Sequence, residues 1–197
     1  QGNIIGAANS YTIAVRTASA LLGQIESQLN TGDRDAFRVL RARSVALGKI
    51  GDIHLIATPS KTQEAAKAYS ESLTDREKLT RLDPRNFEYQ ADLSVALNKV
   101  SQTEIQLQSW SDARKHIDLA IDIANKLSEF DPSNAIWRRN RILNLELRGD
   151  LENAAGNPDR AVQDYNEALQ MESASPLSSS SQIFRQCWLQ NKIGEAL

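Results

Sequence analysis

The chain has 197 residues, 41% of them hydrophobic and 24% charged, which is long enough to bury a core and too apolar to remain disordered. A net charge of −2 gives no global basic field for nucleic acid or an anionic membrane. The lone Cys187 excludes an intramolecular disulfide and a thiolate metal site.

No apolar run approaches the roughly 18 residues of a membrane span. Gln1–Leu22 lacks the charged start and apolar middle of a signal peptide. Position 1 is Gln and the single Met is Met171, so the sequence reads as a piece of a longer protein. Cysteine usage fits a cytoplasmic setting, and it also fits the extracytoplasmic portion of a membrane-anchored protein.

In chain order, Tyr11–Leu29 reads as a helix, followed by Asp33-Arg34-Asp35-Ala36-Phe37 as a helix start. From about Asn86 to Gln108, Leu93, Leu97 and Val100 recur at helical spacing. A turn around Ser109-Trp110-Ser111 follows, with Ser111 as N-cap of the next helix. That helix carries Ala113, Ile117, Ala120, Ile121, Ala124 and Leu127 on one stripe. Asp131-Pro132-Ser133-Asn134 stops it, because proline cannot continue a helix and disfavours helical geometry in the residue before it. The Asn can cap the helix that follows. Gln182–Leu197 reads as the last helix, after a Ser-rich turn over Ser173–Ser181.

The elements repeat. Ser44-Val45-Ala46-Leu47-Gly48-Lys49-Ile50-Gly51-Asp52 returns 50 residues later at Ser94-Val95-Ala96-Leu97-Asn98-Lys99-Val100-Ser101-Gln102. Ala65, Tyr69, Ser72 and Leu73 return as Ala113, Ile117, Ala120 and Ile121, then as Ala161, Tyr165, Ala168 and Leu169, each shift being 48. Leu79-x3-Asp83-Pro84-x-Asn86 returns at Leu127-x3-Asp131-Pro132-x-Asn134 with the same shift. Two extra residues therefore sit near Thr58-Pro59-Ser60. Lys192-Ile193-Gly194-Glu195 echoes Lys49-Ile50-Gly51-Asp52, which makes the last helix the first of a further unit. The expected organisation is one array of eight helices: a half repeat at 1–32, repeats at 33–84, 85–132 and 133–175, and a terminal half repeat or capping helix at 176–197.

Small residues at Gly51, Ser101 and Gly149, alanines at Ala65, Ala113 and Ala161, the bulky residue four positions on and the small one three further together resemble the tetratricopeptide repeat family. The Asp-Pro ends match that family's repeat-closing proline. The family's usual unit is about 34 residues, so this chain resembles instead a bacterial subclass with units of about 50, found attached to signalling domains. The resemblance implies an all-α, right-handed superhelical solenoid of antiparallel helix pairs. It also implies a concave groove lined by the first helix of each repeat. Carried across by register, the inward positions are Gly48, Asp52 and Leu55; Asn98, Gln102 and Ile105; and Glu146, Asp150 and Asn153.

The residues offer little catalytic chemistry. Gly48-Lys49-Ile50-Gly51-Asp52 lacks the glycine spacing of a phosphate loop and sits inside a helix. His54 and His116 lie in different repeats. Asp75-Arg76-Glu77-Lys78 reads as a solvated helix face with local ion pairing. Arg34, Arg38, Arg41 and Arg43, and the segment Trp137-Arg138-Arg139-Asn140-Arg141, are the basic clusters; Trp137 shares the register of Tyr89 and reads as packing. No catalytic, cofactor or metal residue is expected. Asp52, Glu146 and Asp150 would repel the C-terminal carboxylate that one subclass of the family grips, so a protein or peptide partner with Lys or Arg suits the groove better. The expected function is a protein-interaction or regulatory module of a larger bacterial signalling protein, without nucleic acid or membrane insertion. The alternative is a structural module that self-associates or spaces other domains.

The repeated alanines generate a first prediction. Ala113→Leu or Ala161→Leu overpacks a helix seam and lowers stability by roughly 1–3 kcal/mol, read by thermal or urea denaturation. An unchanged transition would mean that the seam lies elsewhere.

Overall fold

The computed structural model describes residues 2–57, 61–174 and 180–197. The described residues form eight α-helices and no strand: α1 (Gly2–Asn30), α2 (Arg34–Ala57), α3 (Thr62–Leu82), α4 (Phe87–Gln106), α5 (Trp110–Phe130), α6 (Ala135–Ala154), α7 (Pro158–Ser173) and α8 (Ser180–Ala196). The two-residue insertion expected near Thr58-Pro59-Ser60 and most of the Ser-rich turn lie outside the described residues. The helices group into two compact units, Gln1–Leu107 and Gln108–Leu197.

Local chemistry sets the helix ends. Asn86 and Asn134 cap α4 and α6, each side chain accepting from two main-chain N–H groups: Glu88 and Tyr89 in one case, Ile136 and Trp137 in the other. Asp33 caps α2, accepting from Asp35 N and Ala36 N at 2.8 and 2.9 Å. Asp83 and Asp131, each before a proline, leave helical geometry with ψ of 78° and 90° and end α3 and α5. At the ends of α1 and α6 the chain turns through Gly32 and Gly156, both at φ 79°. There Asp33 N donates to Gln28 O and Gly32 N to Leu29 O, and Asn157 N to Glu152 O and Gly156 N to Asn153 O. Those paired bonds close the helix ends by the Schellman pattern.

Three expectations are corrected. The N-cap of α5 is Ser109, not Ser111, and Trp110 is the first helical residue, since Ala113 N already bonds Ser109 O at 3.0 Å. The face at Asp75-Arg76-Glu77-Lys78 is not solvated throughout: Asp75 and Arg76 are 2% and 8% exposed. Asp75 is buried because it takes both hydrogen bonds of a fork from Arg43 on α2. The N-terminal helix also starts earlier than expected, at Gly2, and is kinked at Ile25 (φ −113°).

Within each unit, contacts between consecutive helices run in opposite sequence order. In the first, Arg43 meets Asp75, Ser44 meets Ser72 and Gly51 meets Tyr69, so α2 and α3 are antiparallel. In the second, Arg141 meets Glu167, Arg148 meets Asp164 and Gly149 meets Tyr165, so α6 and α7 are antiparallel too. First helices run the same way as each other: α2 meets α4 at Arg41–Asp92 and Asp52–Lys99, and α6 meets α8 at Glu146–Arg185 and Asp150–Lys192. The chain is thus a helical repeat of tetratricopeptide-like pairs.

The seam of the pairs is set by two glycines. A side-chain carbon built on Gly51 would lie 2.5 Å from Tyr69 Cε1, and one on Gly149 would lie 2.5 Å from Tyr165 Cε1. Both rings are fully buried, and Ala65 and Ala161 beside them are 0% exposed. Glycine is therefore required for close approach here, not for a special φ. Elsewhere in the first unit Leu22, Leu29, Phe37, Leu40 and Leu79 close the core against Tyr89, whose ring meets Phe37 edge-on at 6.4 Å.

The seam glycines and Gly48, which shares α2 with Gly51, give opposite outcomes. Gly51→Ala and Gly149→Ala each force a buried ring to shift and cost about 1–3 kcal/mol. At Gly48 the nearest atoms to an added carbon stand 3.8 and 3.9 Å away. Gly48→Ala is therefore tolerated and gains up to about 1 kcal/mol of helix propensity. Urea denaturation of the three variants checks the contrast; equal effects at Gly48 and Gly51 would refute the seam.

Candidate functional site

The same tyrosines that fill the seams reach polar groups at its edge. Tyr69 Oη donates to Asp52 Oδ1 at 2.8 Å, and Tyr165 Oη to Asp150 Oδ1 at 2.7 Å. Each aspartate follows its seam glycine in sequence. Each also receives a lysine from the next first helix of its unit, Lys99 at 3.0 Å and Lys192 at 3.1 Å. The result is an Asp–Tyr–Lys cluster that occurs once in each unit. The middle repeat has Gln102 and Ile117 at the Asp and Tyr positions and so carries no copy of it.

In the first unit this cluster sits at the wall of a cavity of about 750 Å³, lined by Asp52, Leu55 and Ile56 of α2, Thr62 and Tyr69 of α3, and Lys99, Gln102 and Gln106 of α4. Three of the residues expected inward, Asp52, Leu55 and Gln102, share this lining. Asn98 and Ile105 lie on α4 outside it. In the second unit Glu146 is buried and held by Arg185 at 3.3 Å, Asp150 is in the cluster with Lys192, and Asn153 is exposed at the end of α6.

The electrostatics of the expected groove follow from these partners. Burial alone would push the Asp52 carboxyl up, but the hydrogen bonds from Lys99 and Tyr69 and the charges of Lys99 and Lys49 outweigh it and hold the group below its ordinary range. Burial raises Glu146, partly offset by Arg185 and reinforced by Glu172 and Asp150. Burial, then the hydrogen bond to an aspartate and its charge, raises both Tyr69 and Tyr165. Each of these carboxylates already holds a cation of its own unit, so none is an unpaired negative charge.

Sequence reasoning missed Tyr69, Lys99, Ile56, Thr62 and Gln106 as lining residues. Tyr69 was assigned to packing, which is half of what it does. Lys99 carried a usable signal, since lysines stand at Lys49, Lys99 and Lys192 in the repeating block. Three of the four arginines of the expected basic cluster on α2 pair within the unit: Arg38 with Asp35, Arg41 with Glu88 and Asp92, and Arg43 with Asp75. His54 and His116 lie on α2 and α5 and both are partly buried. Among the described residues no three His, Cys, Asp or Glu side chains converge as a metal site, and no helix is long and apolar enough to cross a membrane.

The raised phenols give a pH prediction. A tyrosine whose folded value lies above its unfolded value stabilises the fold fully below about pH 10, and that stability is lost as pH rises through the folded value. Ultraviolet titration of the folded chain should leave Tyr69 and Tyr165 protonated above about pH 10, with release only on alkaline unfolding. Tyr69→Phe and Tyr165→Phe should each remove one late-titrating group. Ordinary titration of both phenols in the folded chain would contradict the ring-to-aspartate bonds.

No family model matches the chain, and no curated protein matches it. Among solved structures it is similar to BtubC (BKLC) from P. vanneervenii, at 11% identity over 98% of this chain and 85% of that one, with a TM-score of 0.45. It is also similar to the de novo designed helical repeat protein DHR64, at 13% identity over 98% and 95%, TM-score 0.40. A tetratricopeptide repeat protein from Parabacteroides merdae shares 14% identity over 93% of this chain and 100% of that one, with a TM-score of 0.18.

Proposed function

We propose that the chain is a protein-interaction module that binds an extended peptide or protein segment in the cavity of its first unit. The observation that carries this reading is the cavity itself. Its volume suits a bound segment, and its lining pairs apolar Leu55 and Ile56 with the amides of Gln102 and Gln106. The hydroxyl that meets a carboxylate in the lining, Tyr69 against Asp52, is a phenol buried in the helix seam with its ionisation pushed up, which supports a binding role without catalysis. A basic segment would have to displace Lys99 from Asp52. The partner we favour therefore presents apolar and hydrogen-bonding groups to α2 and α4. In our reading the module regulates or scaffolds a larger bacterial signalling protein of the long-repeat kind.

A second reading, self-association, is favoured by Ile183 and Phe184 on α8, which are 55% and 73% exposed. Light scattering across concentrations decides it; a strict monomer counts against it.

For the first reading, a photo-crosslinking residue placed at Gln106 should capture a partner segment that one at Lys67, on the exposed side of α3, does not. Leu55→Glu should weaken that capture by at least about tenfold, the effect of roughly 1.4 kcal/mol. No capture at Gln106, or equal capture at both positions, overturns the reading.

A further inference from the structure

Among the described residues, α8 carries a seam that no helix fills. By the repeating block, Gly194 stands where Gly51 stands on α2 and Gly149 on α6. At those two positions an added carbon would lie 2.5 Å from a tyrosine ring, whereas at Gly194 nothing lies within 4 Å. The rest of the face agrees. Ile183, Cys187 and Gln190 fall in register with Leu40, Ser44 and Leu47 of α2, which are all buried. On α8 the same positions, and Gly194 with them, are exposed. Their spacing of four, three and four places them on a single helix face. The opposite face holds α8 to its own unit: Leu189 and Ala196 are buried, Arg185 pairs with Glu146 and Glu172, and Lys192 pairs with Asp150.

Shape, charge and size all point to a second copy of the same face as its occupant. In an antiparallel pair with its two-fold axis between positions 188 and 189, Ile183 faces Gly194 of the other copy and Cys187 faces Gln190. A bulky side chain then meets a glycine at both ends, the device that sets the two filled seams. The face itself is uncharged. The charge nearest to it, Glu195, accepts from the Asn191 amide at 2.7 Å. The two-fold axis puts the two Glu195 side chains roughly 20 Å apart along the helices, so like charges do not oppose each other. With 17 residues, α8 offers about 25 Å of helix. One such pair covers the low end of specific interfaces, below roughly 1,200 Å², which suits a weak, reversible dimer.

We propose that α8 pairs antiparallel with α8 of a second copy, Ile183 of each seating on Gly194 of the other. The proposal rests on the self-association reading above and names its face and its geometry. By helical spacing, Phe184 lies at the flank of this pair and Ile183 at its centre line.

Cys187 is the one cysteine of the chain and is exposed, so the unsubstituted protein carries its own probe. The pairing sets the two Cys187 within about one helical turn of each other along the axis, in reach of a short-spacer bismaleimide. The expected result is a covalent dimer at the concentrations where sedimentation shows association. Gly194→Leu should weaken the dimer at least about tenfold and lose the crosslink, while circular dichroism stays native. General stickiness of an apolar face predicts the reverse, because leucine adds apolar surface; tighter association of that variant overturns the seam. Ile183→Gln should weaken the dimer in the same way, and it decides alone should Gly194→Leu fail to fold. A concentration-dependent dimer whose Cys187 does not crosslink overturns this pairing and leaves self-association standing. A strict monomer overturns both.

Discussion

The architecture depends on how closely two helices can approach, and in both units a tyrosine ring against a glycine sets that distance. Gly51 with Tyr69, and Gly149 with Tyr165, leave less than a carbon's width between ring and backbone. Such packing works only because alanines flank the rings and give the second helix a flat surface at the seam. Once a pair is set, the capped Asp-Pro turn or the left-handed glycine delivers the next helix. The parallel run of α2 with α4, and of α6 with α8, follows from that alternation.

Charge is handled in the same internal manner. Arginines that look like a surface stripe in sequence reach across to carboxylates on neighbouring helices: Arg43 to Asp75, Arg148 to Asp164 and Asp118, Arg185 to Glu146 and Glu172. A fork of two bonds lets a carboxylate such as Asp75 sit almost fully buried. These pairs fix register between helices, because the removal of one partner leaves the other charge buried alone.

Much of the fold was legible because its determinants are local or periodic. Asn86, Asp83-Pro84 and the alanine stripe of α5 act through neighbours in sequence, and the repeat spacing made Gly51 and Gly149 equivalent before any contact was seen. The site was legible only in part. Register put Asp52, Leu55 and Gln102 on one face, and the three share a cavity lining, but register does not say what a side chain touches. Asp75-Arg76 looked solvated because a charged run usually is; its burial depends on Arg43, 32 positions away. Likewise the charge of Asp52 could be judged only once Lys99 was placed on it. Pairing across helices is a long-range property that a pattern of residue types does not encode.

The tyrosine that spaces each helix pair ends in a hydroxyl that belongs to the face outside it. Only one hydrogen bond, from Tyr69 to Asp52, separates the packed interior of the first unit from the wall of its cavity. No insulating layer lies between recognition and folding there. A guest that rearranges the aspartate would loosen the ring, and a change in the ring would alter what the wall can hold. A change at the Tyr69–Asp52 bond would therefore be felt both in the helix seam and at the cavity wall.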